Sequence, residues 1–388
     1  MNAELFSAAK EIVAKHGDKI LADPRRVSAF LADMAQDVPK PQKGTFIKCL
    51  EQGFAKILKN AAETERANCK SQLAQRLHRD EGLDLHLCEE SLGLLAAVLF
   101  GEEEVTAIAD GAFAGKQLVS FTIPYGVTTI GKNAFSYNQL SSINIPDSVT
   151  TIGSGAFKNN QLTSVTFPKN ITIIEQFAFS DNKLGSINIP KKVRTIGSHS
   201  FSNNQLTSVT LPDSVTTIED CAFSDNKLTS FTLPKNVTII ENSVFSKNLL
   251  TSIVIPKNVK TIGSFAFFEN KLKNIVIPNG VTAIKHNAFA NNQLTSVTIP
   301  GSLNTIDDGV FFNNQLNNIV IPNSVKKIVE MAFHGNQLAS ITIGTNVQLG
   351  GPRGRTTFDN GFDNFYEDNG RRAGTYTFIN KWRGWKVQ

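Results

Sequence analysis

Leu206-Thr207-Ser208-Val209-Thr210-Leu211-Pro212-Asp213-Ser214-Val215-Thr216-Thr217-Ile218-Glu219-Asp220-Cys221-Ala222-Phe223-Ser224-Asp225-Asn226-Lys227 is a block of 22 residues whose recurrence decides the fold. Counted from the valine of each copy, eleven blocks run from Val105 to Asn346 without an insertion or deletion. A proline column from Pro124 to Pro322 and a phenylalanine column from Phe113 to Phe333 keep the same 22-residue spacing. A period this strict implies a solenoid, in which each block is one coil and the core forms by stacking coil on coil.

The consensus V-T-x-I-G-x-x-A-F-x-x-N-Q-L-x-S-I-x-I-P-x-x has fixed apolar columns, exemplified by Ile130, Ala134, Phe135, Leu140, Ile143 and Ile145. A fixed column meets the same neighbour in every coil, so these are core ladders. Ser142-Ile143-Asn144-Ile145 alternates polar and apolar and reads as a short strand with one buried face, ended by a proline that cannot donate to the next ladder bond. V-T-x-I reads as a second extended piece, and G-x-x-A-F as a turn of 3₁₀ type. At the usual strand spacing of about 4.8 Å, eleven coils make a rod on the order of 50 Å long. Ten consecutive blocks place an asparagine, Asn138 through Asn336, just before the core leucine. Its amide is suited to satisfying backbone groups of the turn and of adjacent coils, a structural role.

The run from Leu206 through Phe223 resembles the BspA-like branch of bacterial leucine-rich repeats, as do its copies over roughly two thirds of the chain. The block is slightly shorter than is usual in that family, which implies a tighter turn before the leucine. The resemblance implies a non-enzymatic surface or secreted adhesin. No export signal is read at the N-terminus, however, so a cytoplasmic location is the expectation from the residues and the cell surface the alternative from the family.

Residues 1–104 lack the repeat and carry apolar residues at helical spacing. Asp23-Pro24 is a helix start, with Val27, Phe30, Leu31 and Met34 falling on one face. Leu5–His16 and amphipathic stretches around 45–60, 63–80 and 84–100 complete a predicted helical bundle, placed to cap the first coil. The apolar run 92–100 is too short for a bilayer, which takes about 20 residues, and reads as a core helix. Residues 347–388 form a third segment, with a β-hairpin predicted over 374–385. Arg371, Arg372, Trp382 and Trp385 have the chemistry to stack on a sugar or a base, but a solenoid end also needs closing, and that role is favoured. The fold class is therefore α+β: an eleven-coil parallel-sheet solenoid between a helical cap and a hairpin cap.

Cys49, Cys69, Cys88 and Cys221 are scattered without C-x-x-C spacing and read as free thiols. His16, His78, His86, His199, His286 and His334 occupy unrelated columns or domains, so no metal cluster is expected. No phosphate loop, nucleophile elbow or paired-carboxylate site is present, and neither an enzyme nor a cofactor is expected. The bundle carries 14 Lys+Arg against 17 Asp+Glu and the repeats 18 against 13. These balances argue against nucleic acid and membrane as partners.

Binding is expected on the open face of the sheet, whose columns are Ser120 through Ser340 and Thr122 through Thr342. This face is hydroxyl-rich and nearly uncharged, which suits a broad contact with protein, although the same uniformity also serves solubility. It is interrupted where Val254, Val276 and Val320 replace Thr or Asn, and where Lys273-Asn274 and Asn317-Asn318 replace Thr-Ser. Apolar positions amid polar neighbours have the composition of a contact site, and drift among copies leaves a similar trace. These seven residues are the candidate site of a monomeric, protein-binding scaffold. A carbohydrate-binding module and an ice-binding surface are the alternatives.

Overall fold

The computed structural model describes residues 3–16, 18–34, 40–52, 54–55, 73–76, 78–79, 81, 91, 95 and 106–388 without 125, 352, 381 and 382. Two compact units make up the chain: Met1–Ile108 with Thr122–Thr129, and Ala109–Phe121 with Ile130–Gln388.

The first unit holds helices Ala3–His16, Pro24–Met34 and Lys40–Glu51, with a 3₁₀ turn at Asp18–Ala22. Asp23 caps the second helix as its sequence predicts. The side-chain Oδ1 accepts the Arg26 N–H at 3.2 Å and the carbonyl accepts the Val27 N–H, satisfying donors that a helix start leaves orphaned. Val27 and Leu31 are buried, as are Ile12, Ile20, Phe46 and Leu50, while the side chains of Phe30 and Met34 lie outside the described set. The third helix starts at Lys40, earlier than its periodicity indicates. The helices read over 63–80 and 84–100 fall largely outside the described residues.

The second unit is the parallel β-solenoid of about eleven coils that the repeat predicts. Phe113 through Phe333 form one unbroken stack, near-parallel rings with centroids 5.3 to 6.1 Å apart. Leu140 through Leu316 and Ile130 through Ile328 are buried beside it. The asparagine column is the polar counterpart of this core. In the sixth coil, the Asn226 amide donates to the carbonyls of Phe201 at 2.9 Å and Phe223 at 3.2 Å, and its Oδ1 accepts the Leu206 N–H at 3.0 Å. The same set of partners recurs from Asn138 to Asn336, so each amide ties its own turn to the preceding coil.

The G-x-x-A-F segment is not a 3₁₀ turn. Each coil has two left-handed positions there, for example Asn133 at φ 55° and Tyr137 at φ 57°. They separate two tight turns, closed by Ala134 N–H to the Gly131 carbonyl and Ser136 N–H to the Asn133 carbonyl. The change of hand frees the N–H groups of Asn133, Phe135 and Tyr137, which donate to Ser154, Ala156 and Lys158 of the following coil at 2.8–2.9 Å. A continuous 3₁₀ turn would hold those donors inside one coil and forfeit the ladder.

The S-I-x-I strands are parallel and in register, but they form pairs rather than one continuous sheet: Ser142–Asn144 with Ser164–Thr166, Ser186–Asn188 with Ser208–Thr210, and Asn274–Val276 with Ser296–Thr298. Along this strand column, coils six and seven pair at the isolated bridge Thr232–Val254. In coil six the strand centre is Phe231, where Ile or Val stands in most copies. Its ring packs 4.5 Å from Phe245 and 5.3 Å from Phe223, and that phenylalanine pair has the widest spacing of the stack, 6.1 Å.

The solenoid path continues past Asn346. Gln348–Leu349 pairs parallel with Lys327–Ile328, and Phe358 adds a further ring to the stack, 5.0 Å from Phe333. Asp359 accepts the N–H groups of Gly335 and Asn336, taking the place of the next coil. Arg353 pins this loop to coils ten and eleven by ion pairs to Asp308 and to Glu330, whose side chain is 1% exposed. The predicted hairpin then forms from Gly374–Asn380 and Gly384–Val387, and its first strand pairs antiparallel with Ser340–Ile343. Phe362, Tyr366 and Tyr376 are buried, and Trp385, 5% exposed, donates its indole N–H to the Asn360 carbonyl. The tail aromatics close the last coil, and Trp385 presents no face for a sugar or base. Trp382 lies outside the described residues, Arg371 pairs with Glu367 at 2.6 Å, and Arg372 is exposed.

Candidate functional site

The open face of the S-I-x-I strands carries the candidate residues. Along each strand the central Ile or Val points into the core and the flanking residues point out, as in Asn274–Val276 and Asn318–Val320. Val254 is 83% exposed, Val276 71% and Val320 64%, and Val119, in the column of Lys273 and Asn317, is 64% exposed in the first coil. Lys273, Asn274, Asn317 and Asn318 are exposed beside them. Their backbones hold the coils together: the Lys273 carbonyl accepts the Thr295 N–H at 2.9 Å, and the Asn317 carbonyl accepts the Ala339 N–H at 2.7 Å.

The structure brings Val254 and Val276 together in adjacent coils seven and eight. Val320 is set apart, because Val276 is in register with Thr298 of coil nine. On the far side Val320 is in register with Thr342, whose hydroxyl is 3.0 Å from that of Thr375 in the hairpin. The apolar surface is therefore a two-coil patch with an outlying third member at the edge of the cap, laid on a hydroxyl-rich strip.

A second surface, on the G-x-x-A-F turns, escapes a reading confined to the strands. The first left-handed column runs His199, Cys221, Ser243 and Phe265, with φ of 54–58°. Asn133, Gly155, Phe177, Asn287, Gly309 and Met331 hold the same column in other coils, so Gly and Asn, the residue types that best tolerate this conformation, share it with larger side chains. For His and Phe it costs roughly 1–2 kcal/mol each. The small Cys221 and Ser243 between two rings leave an open groove of about 350 Å³, floored also by Ser224 and Ser246 and closed at one end by Phe265 and Phe268. At the other end His199 stacks on Phe177, centroids 4.8 Å apart and planes 8° from parallel. Asp225 and Lys247 stand on the rim as an ion pair at 3.7 Å. Burial pushes the Cys221 thiol above its ordinary value; the carboxylates of Asp220 and Asp225 add to this, against a hydrogen bond with Ser243. The signal in the sequence is this variable column, small residues between aromatic ones, at a position whose conformation only the turn geometry reveals.

The repeat matches the family model described as BspA type Leucine rich repeat region over residues 106–229, 172–293 and 238–352. The chain belongs to the BspA type leucine-rich repeat family. Solved structures similar to this BspA type chain include a leucine-rich repeat protein from Bacteroides ovatus, 25% identical, covering 63% of this chain and 78% of that one with a TM-score of 0.47. A leucine rich cell surface protein from Faecalibacterium prausnitzii is 26% identical over 63% of this chain and 83% of its own, TM-score 0.40. Pneumococcal vaccine antigen PcpA is 25% identical over 63% and 68%, TM-score 0.44. No curated protein matches the chain. These comparisons lend the cytoplasmic expectation no support. Among the described residues, no helix is long and apolar enough to cross a membrane.

Proposed function

We propose that this BspA type protein is a non-enzymatic scaffold that binds a protein partner through the open face of its strands, centred on Val254 and Val276 and extending to Val320. The observation that carries the reading is the exposure of these valines, 83%, 71% and 64%, on a face otherwise made of small polar residues. A partner gains about 25 cal/mol for each Å² of apolar surface it removes from water, whereas the surrounding hydroxyls must exchange one hydrogen bond for another. Lys273, Asn274, Asn317 and Asn318 supply a polar rim that fixes register. The scaffold is monomeric in this reading and works as an adhesin at the cell surface, the setting its family resemblance implies.

The alternatives fare less well on this face. A saccharide wants exposed aromatics, and the two outward columns hold none. Ordered ice-like water wants an uninterrupted hydroxyl array, which the valines and asparagines break.

The test uses the triple variant Val254→Thr, Val276→Thr and Val320→Thr, which gives each position the residue that Thr210, Thr232 and Thr298 already carry in this column. Replacing a buried methyl by a hydroxyl costs about 1 kcal/mol per site, so the variant should bind at least tenfold more weakly. Wild type and variant are immobilised side by side, exposed to native lysate and to surface extracts, and titrated with whatever the wild type retains. Equal retention by both would move the binding surface off the strands.

A further inference from the structure

The turn-side groove has features that the protein-binding reading leaves unused. It exists because coils six and seven place Cys221 and Ser243 where coils five and eight place His199 and Phe265. One face of the His199 ring is covered by Phe177 of the preceding coil, so its other face is turned towards the following coils and the groove. At the opposite end Phe265 is wedged edge-on between Phe268 at 5.4 Å and His286 at 5.0 Å, which fixes its orientation. Both rings occupy the left-handed position that every coil has at this column, at φ 54° and 58°, which sets them at the two ends of the gap over Cys221 and Ser243.

The floor selects the guest. It is polar, with the hydroxyls of Ser224, Ser243 and Ser246, each able to donate and accept. A wholly apolar guest would strip these groups of water and return nothing. On the rim Asp225 is paired with Lys247, and the Asp220 carboxylate also acts on Cys221, so the groove does not favour an anion. A guest that fits has flat C–H faces to lie against a ring and hydroxyls along its edge. That combination is a sugar ring. The volume, about 350 Å³, falls at the lower end of the range for small-molecule sites, roughly 300–1,000 Å³.

We propose that this groove binds a neutral saccharide, with one hexose ring against His199 and its hydroxyls on the serine floor, and with Phe265 and Phe268 closing the far end. The site stands apart from the valine patch, since it lies on the turns and the patch on the strands, and it needs no protein partner to operate. It gives the scaffold a second specificity, for a glycan.

Cys221 reports on occupancy because it lines the groove. The full chain is treated with iodoacetamide, alone and with millimolar maltose, lactose, cellobiose or N-acetylglucosamine, and labelling of the Cys221 peptide is followed by mass spectrometry against glutathione in the same tube. At least one of these sugars should slow Cys221 labelling severalfold without affecting glutathione. His199→Asn and Phe265→Ser, which install residues already found in this column at Asn133 and Ser243, should each abolish that protection while leaving the melting temperature unchanged or higher. Absence of protection by every sugar would overturn the assignment, as would equal protection in both variants. Protection by a tryptophan-bearing dipeptide and by none of the sugars would make the groove a peptide site instead.

Discussion

Replacing Asn226 by Ala removes one rung of the amide ladder in the middle of the solenoid, and the cost follows from its partners. The Leu206 N–H has one acceptor among the described contacts, the Asn226 Oδ1 at 3.0 Å, so the substitution leaves a buried donor without a partner. Such a group costs about 1–3 kcal/mol. The carbonyls of Phe201 and Phe223 fare better, because each also receives an amide N–H from a neighbouring rung, Asn204 and Asn248 respectively. Losing the shared bonds adds about 0.5–1 kcal/mol each, for a total of roughly 2–5 kcal/mol. Because the coil contacts only its neighbours, the damage is local, and the urea transition should broaden as the two halves of the solenoid uncouple. Asn226→Asp separates acceptor from donor: the carboxylate still accepts from Leu206 but faces the three carbonyls of Phe201, Phe223 and Ser224, which raises its pKa in the folded state. An acid with a raised folded pKa favours folding below its unfolded pKa and loses that contribution as the pH rises through the folded one. The Asp variant should therefore come nearest to wild type below the unfolded aspartate pKa of about 3.9 and fall away as the pH rises to neutral. Urea titrations of wild type, both variants and the exposed Lys227→Ala control provide the measurement. If Asn226→Ala shifts the midpoint no more than Lys227→Ala does, within about 0.5 kcal/mol, the ladder is not what holds the coils together.

Two further outcomes test the core and the cap. Phe223→Ala should cost about 3–5 kcal/mol as a buried ring leaves the stack, against well under 1 kcal/mol for exposed Thr210→Ala, and comparable urea midpoints for the two would show the columns wrongly assigned. Arg353→Ala leaves the Glu330 carboxylate, which it meets at 3.3 Å, buried without its counter-charge, so Arg353→Ala should destabilise by more than Arg353→Ala combined with Glu330→Gln. A double-mutant cycle with strictly additive effects would refute that coupling.

How much of this was legible beforehand depends on whether an arrangement repeats. A column such as Phe113–Phe333 or Asn138–Asn336 meets an identical environment in every coil, so spacing alone identifies core, strand and turn positions and the parallel register. The family follows from the same repetition, and the exposed valines are legible because they depart from a column whose orientation the alternation already fixes. Other features were decided by tertiary structure. The left-handed turns are invisible in G-x-x-A-F because the backbone hand is set by the need to send N–H groups to the next coil, a requirement that arises only on stacking. The division of the S-I-x-I strands into separate pairs is likewise absent from the repeat, because neighbouring copies carry the same pattern whether or not they pair. The ring that Phe358 adds to the stack and the groove between His199 and Phe265 both depend on which side chains of different coils stand next to each other in space. One sequence specifies the repeat through local pattern, and its irregularities acquire meaning only once stacking has given them neighbours.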